Sequence, residues 1–213
     1  MEQKIIDHLL RDERLKEIIP LVTLPTLETN NDVYLDLMSS VVSQQLSVKV
    51  ADIIFDRFIN LFPECDPRPE RLVEMDLEEL RKCGLSYQKG GYLKNIAAHW
   101  VEHHSKGMKD WLSMTDEEII ADLTSIKGVG RWTVQMILMF KLGHLDVFPI
   151  DDLGIRQGMV KMYGLEELSG KGLLAELARI AEGWRPYRTV ACRYVWRWKD
   201  TVKSEKFLVK SEK

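Results

Sequence analysis

"IKGVGRWTVQ", residues 126–135, decides how the rest of the chain is read. Gly128 and Gly130 flank Val129, and Arg131-Trp132 then opens an apolar run with helical spacing. Gly-x-Gly beside a helix N-terminus is a pattern that binds phosphate, so the first question is whose phosphate it is. A dinucleotide-binding turn needs a third glycine, after a strand and inside a βαβ unit. Here the third position is Thr133, and the preceding "TDEEIIADLTSI" (115–126) has the period of a helix. A Walker loop needs G-x-x-x-x-G-K-[ST], which is absent. What remains is helix, tight hairpin, helix. Successive backbone N–H groups in such a turn make an anion site without any side chain. Gly128 and Gly130 are expected to supply positive φ and close backbone approach, with Lys127 and Arg131 adding charge. The ligand is then one phosphate of a nucleic-acid backbone.

Outward from the hairpin the chain reads as helix after helix. "YLDLMSSVV" (34–42) sets Tyr34, Leu37, Met38, Val41 and Val42 on one face. "SVKVADIIFDRFINLF" (47–62) begins with a Ser cap and is expected to bury Val50, Ile53, Ile54, Phe58 and Leu61. "DLEELRKCG" (76–84) and "TDEEIIADLTSI" both open with capping-box spacing, Asp76 to Glu79 and Thr115 to Glu118. Helices also fit 131–143, 172–184 and 188–200, and no run alternates long enough to demand a strand. The expectation is an all-α protein of about ten helices at the usual length. The Pro-rich "FPECDPRPE" (62–70) is an interhelical loop rather than a linker.

Composition narrows the class further. The chain has 213 residues, 45% hydrophobic and 30% charged, as an ordinary globular protein does. The N-terminus lacks a signal-peptide core, and "VQMILMF" (134–140) is too short to span a bilayer, so an intracellular protein with no membrane partner is expected. Cys65, Cys83 and Cys192 are widely spaced without C-x-x-C. They read as free thiols, with no zinc site and no iron–sulfur cluster. The adjacent His103 and His104 read as surface residues, since nothing completes a ligand set around them. A formal charge of −3 argues mildly against a nucleic-acid partner. Its distribution argues the other way: Arg185, Arg188, Arg193, Arg197, Lys199, Lys203, Lys206, Lys210 and Lys213 face only Asp200, Glu205 and Glu212. A solvated tail remains the plain alternative for that run.

"LTSIKGVGRWTVQMIL" together with "DVFPIDDLGIRQGM" (146–159) resembles the helix-hairpin-helix DNA glycosylase superfamily, most closely its 3-methyladenine DNA glycosylase II branch. "SSVVSQQLSVKVA" (39–51) resembles the segment that enters the minor groove in that family. "LRKCGLSYQKGGYLKNIA" (80–97) resembles its mid-domain turn, and "GWRPYRTVACRYVWRW" (183–198) its C-terminal aromatic helix. The resemblance covers most of residues 35–200. It implies two helical lobes with the active-site cleft between them: 36–136, containing the hairpin, and 1–35 plus 137–213. The compact form, without an added N-terminal β-rich domain, is expected. A rival of another class, a non-catalytic DNA-binding or damage-sensing module, would keep the glycines and the basic tail without needing the carboxylate or the aromatics.

The resemblance also assigns residues. Breaking a glycosidic C1′–N bond builds positive charge on the sugar, and a fixed carboxylate stabilises it. Asp151 and Asp152 both precede a helix and either could simply cap it; the family's catalytic aspartate matches Asp152. Bifunctional relatives carry a lysine two residues past the last hairpin glycine. Here that residue is Trp132, which cannot form a Schiff base, so a monofunctional enzyme using water is implied. Trp132 and Trp196 match walls of the damaged-base pocket, where a cationic alkylpurine is attracted by aromatic faces; core tryptophans are the plain alternative. Met136 and Leu153 stand where the best-known bacterial form has tyrosines, which puts the lesion range in question. "SQQLS" (43–47), with Gln44, Gln45 and Leu46, would form the wedge that fills the vacated stack, Gln45 being the first choice and Leu46 the second; an ordinary interhelical turn is the alternative. Gly128, Gly130, Lys127, Arg131 and Thr133 would hold DNA. The carbonyls of Thr124, Ile126 and Val129 would hold Na+ or K+, and no other cofactor is required. The partner implied is double-stranded DNA with damaged bases. A monomer is expected, nucleoid-associated in a bacterium or nuclear in a eukaryote.

Overall fold

The computed structural model describes residues 2–30, 32–103 and 111–211. Twelve α-helices follow one another: α1 (Glu2–Leu9), α2 (Glu13–Ile18), α3 (Val33–Ser43), α4 (Val48–Ile59), α5 (Pro69–Glu74), α6 (Leu77–Lys82), α7 (Tyr87–His103), α8 (Asp116–Thr124), α9 (Arg131–Phe140), α10 (Leu153–Tyr163), α11 (Gly170–Glu182) and α12 (Arg188–Ser211). Short 3-10 turns occur at Ile19–Leu21, Pro63–Cys65 and Trp111–Ser113, and no strand occurs among the described residues. The fold is all-α, with more helices than the sequence suggested. Among those residues no helix is long and apolar enough to cross a membrane. His104 lies outside the described residues.

The chain divides into two compact units. The hairpin unit, Thr29–Leu142, runs from α3 to α9. α3 is its centre: Val33, Leu37, Met38, Val41 and Val42 are all buried, and the helix packs against α4, α7 and α9. α8 starts with a complete capping box between Thr115 and Glu118, as its spacing predicts. α6 starts more simply, with Asp76 accepting from the N–H of Glu78. α4 corrects the sequence reading. Ser47 sits at the N-cap position without a side-chain bond to the backbone, and only Ala51 and Phe58 are buried. Val50 is 43% exposed, Ile53 42% and Leu61 36%. Ala51 and Phe58 lie seven residues apart on one narrow line, so α4 meets α3 through a seam rather than a broad face.

The stretch 80–97 holds the end of α6, the turn at Gly84 and the first part of α7. Gly90 and Gly91 look like helix breakers, yet they lie inside the helix. A Cβ at Gly90 would sit 3.2 Å from Leu77 Cδ2, so the glycine admits α6. Leu93, Ile96 and Ala97 are buried on α7, which packs against α3, α5 and α6. Burial of this face outweighs the roughly 1 kcal/mol that each interior glycine costs a helix.

The second unit joins Met1–Glu28 to Gly143–Lys213. Asp12 ties its two segments together. Its Oδ1 accepts from the N–H groups of Arg14 and Leu15, both at 3.0 Å, which caps α2. The same carboxylate accepts from Tyr163 OH at 2.8 Å and from Trp184 Nε1 at 3.1 Å. Trp184 is fully buried. Burial, reinforced by the Asp12 charge, pushes the Tyr163 hydroxyl well above its ordinary pKa. α10 packs on α12 through a small-residue contact: a Cβ at Gly158 would stand 2.5 Å from Val195 Cγ1.

Candidate active site and nucleic-acid interface

The carboxylate site forms where the loop before α10 is pinned to the start of α12. Arg188 donates to Asp146 Oδ1 at 2.7 Å, and Arg185 to Asp146 Oδ2 at 2.6 Å. Thr189 Oγ1 donates to the carbonyl of His144 at 2.7 Å and accepts from the N–H of Val147 at 3.0 Å. These contacts fix the loop that delivers Asp152 to the N-cap of α10. Asp152 Oδ1 accepts from the N–H of Ile155 at 2.7 Å and from Trp196 Nε1 at 2.9 Å. Asp151 is exposed, and its carbonyl accepts from Arg156 Nη2 at 3.2 Å. Of the two aspartates only Asp152 has its carboxylate held by both a backbone amide and an aromatic N–H.

Gly154 makes that arrangement possible, and sequence reading missed it. A Cβ there would lie 2.8 Å from Trp196 Nε1 and 2.9 Å from Asp152 Oδ1. The only sequence signal is a glycine in the first turn of a helix, where glycine weakens the helix without need. Trp196 is partly buried and oriented by its hydrogen bond, so its indole positions the carboxylate as well as offering a ring. Leu153, next to Asp152 in the chain, is 62% exposed.

The hairpin lies in the other unit. Gly128 has φ +107°, and a Cβ there would fall 2.3 Å from the Tyr92 ring. Glycine is therefore required twice, by backbone conformation and by contact. Gly130 corrects the expectation of positive φ. It is the N-cap of α9, with φ −92° and ψ 157°, the extended geometry of a cap. A Cβ at Gly130 would meet nothing within 4 Å, so its surface is open to an incoming ligand. Thr133 is 6% exposed, which leaves its backbone N–H in the first turn of α9 as the group able to face an anion. Lys127 is exposed. Arg131 reaches Glu117 at 3.7 Å, an exposed pair that holds it weakly. The Ile126 carbonyl accepts from the N–H of Val129 at 3.0 Å. Trp132 is 47% exposed, so it is not a core tryptophan, and Met136 lies one turn on along the same face of α9.

The segment expected to form the wedge follows α3. Gln44 is its C-cap, and Gln45 takes a left-handed φ of +58°. Leu46 is 37% exposed, and its N–H donates to the Ser43 carbonyl at 3.1 Å. The basic C-terminal run is partly spent inside its own unit. Arg185 and Arg188 pair with Asp146 and Glu182, and Arg193 donates to the carbonyl of Pro25. Cys83 and Cys192 are buried and Cys65 is exposed, all as free thiols. Among the described residues no cluster of three or more His, Cys, Asp or Glu could hold a metal ion.

A helix–glycine hairpin–helix and a capped aspartate some twenty residues later form one sequence pattern. That of the HhH-GPD superfamily of base excision DNA repair proteins matches residues 38–184. The chain belongs to this superfamily. It is 38% identical over 165 residues to DNA-3-methyladenine glycosylase 1 of Schizosaccharomyces pombe, covering 77% of this chain and 71% of that protein. The fold matches S. pombe 3-methyladenine DNA glycosylase in complex with abasic DNA, with a TM-score of 0.76, 36% identity, and 91% and 95% of the two chains covered. It also matches a DNA-3-methyladenine glycosidase from Bacillus halodurans, with a TM-score of 0.81, 33% identity, and 94% and 91% coverage. Within the HhH-GPD pattern fall Gln44–Leu46, the hairpin and Asp152; Trp196 lies beyond it.

Proposed function

We propose that this chain is a monofunctional DNA glycosylase acting as a monomer on duplex DNA. It extrudes alkylated purines of the 3-methyladenine and 7-methylguanine type and hydrolyses their bond to the sugar. The observation that carries the reading is the held carboxylate of Asp152, at a helix N-terminus in an HhH-GPD chain.

Flipping a base costs a few kcal/mol, least where the base is damaged. The hairpin offsets part of this cost by gripping one phosphate through backbone N–H groups around Gly128, Gly130 and Thr133, with Lys127 and Arg131 supplying charge. Three main-chain carbonyls, of Thr124, Ile126 and Val129, suit a hard monovalent cation. The Ile126 carbonyl keeps a second lone pair beyond its bond to Val129. Na+ or K+ there would add positive charge beside the phosphate. Gln45 and Leu46 fill the gap in the stack. The extruded base is cationic, and the Trp132 ring attracts it by about 0.5–2 kcal/mol. Met136, one turn on from Trp132 along α9, would set an apolar side chain beside that ring.

As the C1′–N bond breaks, its electron pair leaves with the base and neutralises the ring. Positive charge moves to the sugar, where the Asp152 carboxylate stabilises it. Trp196 and Ile155 hold that carboxylate in place, so little reorganisation is needed as the charge develops. Water then adds to C1′ and releases its proton, leaving an abasic sugar.

The test is release of 3-methyladenine or 7-methylguanine from methylated duplex DNA, within a broader lesion panel. Release that tracks protein concentration supports the reading. Intact DNA binding with no release from any lesion would favour the non-catalytic module.

A further inference from the structure

Three side chains of α7 reach the two loops assigned to DNA. Near its start, Lys89 Nζ donates to the carbonyl of Val42 at 2.8 Å and to that of Gln44 at 2.7 Å. These carbonyls close α3, where a helix leaves acceptors without intrahelical partners. Burial lowers the Lys89 pKa from the ordinary lysine value, the direction expected for a cation turned inward. One turn on, the Tyr92 ring fills the space under Gly128, and its hydroxyl accepts from Gln88 Nε2 at 2.7 Å. A further turn on, Asn95 Nδ2 donates to the carbonyl of Lys127 at 3.1 Å. Lys89, Tyr92 and Asn95 recur every third residue on one face of α7, over about 9 Å of helix at 1.5 Å per residue.

The turn after α3 needs such support. Gln45 holds a left-handed backbone without being glycine, at a cost of about 1 kcal/mol or more. Gln45 and Leu46 are both exposed, so packing does little to fix them. A lysine bridging two carbonyls at the base of the turn supplies the missing constraint.

We propose that Lys89 is a positioning residue for base extrusion. Through α7 it holds the Gln44–Leu46 turn at a fixed spacing from the phosphate-binding hairpin, so that the wedge is aimed when the hairpin is engaged. The proposal rests on the glycosylase reading and on the wedge assignment within it.

The experiment uses the full chain and a duplex carrying 7-methylguanine beside 2-aminopurine, whose fluorescence rises on unstacking. Lys89→Met, Lys89→Arg and a Gln45→Ala/Leu46→Ala double variant are compared with wild type. Lys89→Met should lower the melting temperature by only a few degrees and bind undamaged duplex within about 2-fold, because the hairpin is untouched. Its fluorescence rise should be lost and its single-turnover excision reduced ~10- to 10²-fold, the cost of a small misplacement. Lys89→Arg, which can still donate to two carbonyls, should recover part of both signals. Should Lys89→Met unfold, Lys89→Ala, which also removes the donor and leaves room for water at the two carbonyls, carries the same comparison. A wedge variant with weakened fluorescence beside a Lys89→Met of wild-type behaviour overturns the positioning role alone. A wedge variant indistinguishable from wild type, with excision intact, overturns the wedge assignment and this proposal with it. No excision by wild type overturns the glycosylase reading itself. Equal loss of undamaged-duplex binding and excision in Lys89→Met reduces Lys89 to a structural residue and also overturns the proposal.

Discussion

Asp152 carries two jobs on one oxygen: Oδ1 caps α10 and accepts the indole N–H of Trp196. Asp152→Asn keeps an acceptor for both and removes the charge. Single-turnover excision should fall by at least ~10²-fold, as when a preorganised electrostatic contact is lost. Melting temperature and binding to an abasic-site analogue should survive; near-wild-type turnover would move the role to Asp151 or elsewhere. Trp132 supports a second prediction. With no amine at that position the product should be an intact abasic strand, and borohydride should trap no protein–DNA adduct. Robust trapping by the wild-type protein would identify another nucleophile and remove the monofunctional assignment. Asp152 was singled out by the family resemblance, because the cap signature alone left Asp151 equally open. Gly154 was not, because what it clears is the Trp196 side chain, brought near only by the packing of α10 on α12.

At the scale of elements, the two hairpin glycines separate cleanly. Gly128→Ala places a Cβ against Tyr92 and demands φ +107° of an L-residue. It should destabilise the protein by about 1–3 kcal/mol, the range for a strained backbone position or an overpacked core. Gly130→Ala meets open space in an ordinary extended conformation. Its stability should stay within about 1 kcal/mol of wild type, the difference between glycine and alanine at an N-cap. Duplex affinity should nevertheless fall for every sequence alike, because a methyl group intrudes on the phosphate. Thermal melts and titrations with two unrelated duplexes distinguish the cases, and a Gly130→Ala that binds like wild type would move the phosphate away from this surface. Helices α3, α8 and α9 were legible from period and caps. α7 was masked by Gly90-Gly91: the reason for Gly90 lies in the approach of Leu77 rather than in a turn, and nothing in the structure explains Gly91. The solvent side of α4 was misread because Val50 and Ile53 have the spacing of a core face but no neighbour over them.

Over the whole molecule, charge and connectivity matter more than any single contact. The net charge of −3 gives no general attraction to DNA, and Arg185, Arg188 and Arg193 are engaged within their own unit. Binding should therefore rest on a few local phosphate contacts, with log K falling linearly in log[salt]. A slope near zero, or strong preference among undamaged sequences, would contradict this. Net charge and the basic run were readable in the sequence; that Asp146 and Glu182 occupy part of the run was not, since those pairs form only on folding. The division into two units has a further consequence, for the order of assembly. Asp12 meets Tyr163 across 151 positions and Trp184 across 172. Closing a loop of that length in a disordered chain costs about 4 kcal/mol of entropy. The intervening unit reduces it: the N–H of Asn30 donates to the carbonyl of Lys141 at 2.9 Å, so that unit's own ends meet when it folds. A nascent chain can complete residues 29–142 while Asp12 waits, and the long closure then shrinks to a short one. In pulse-labelled hydrogen exchange during refolding, amides of α3 and α7 should gain protection before those of α2 and α10. α2, ahead of that unit in the chain, would be among the last elements to find its place.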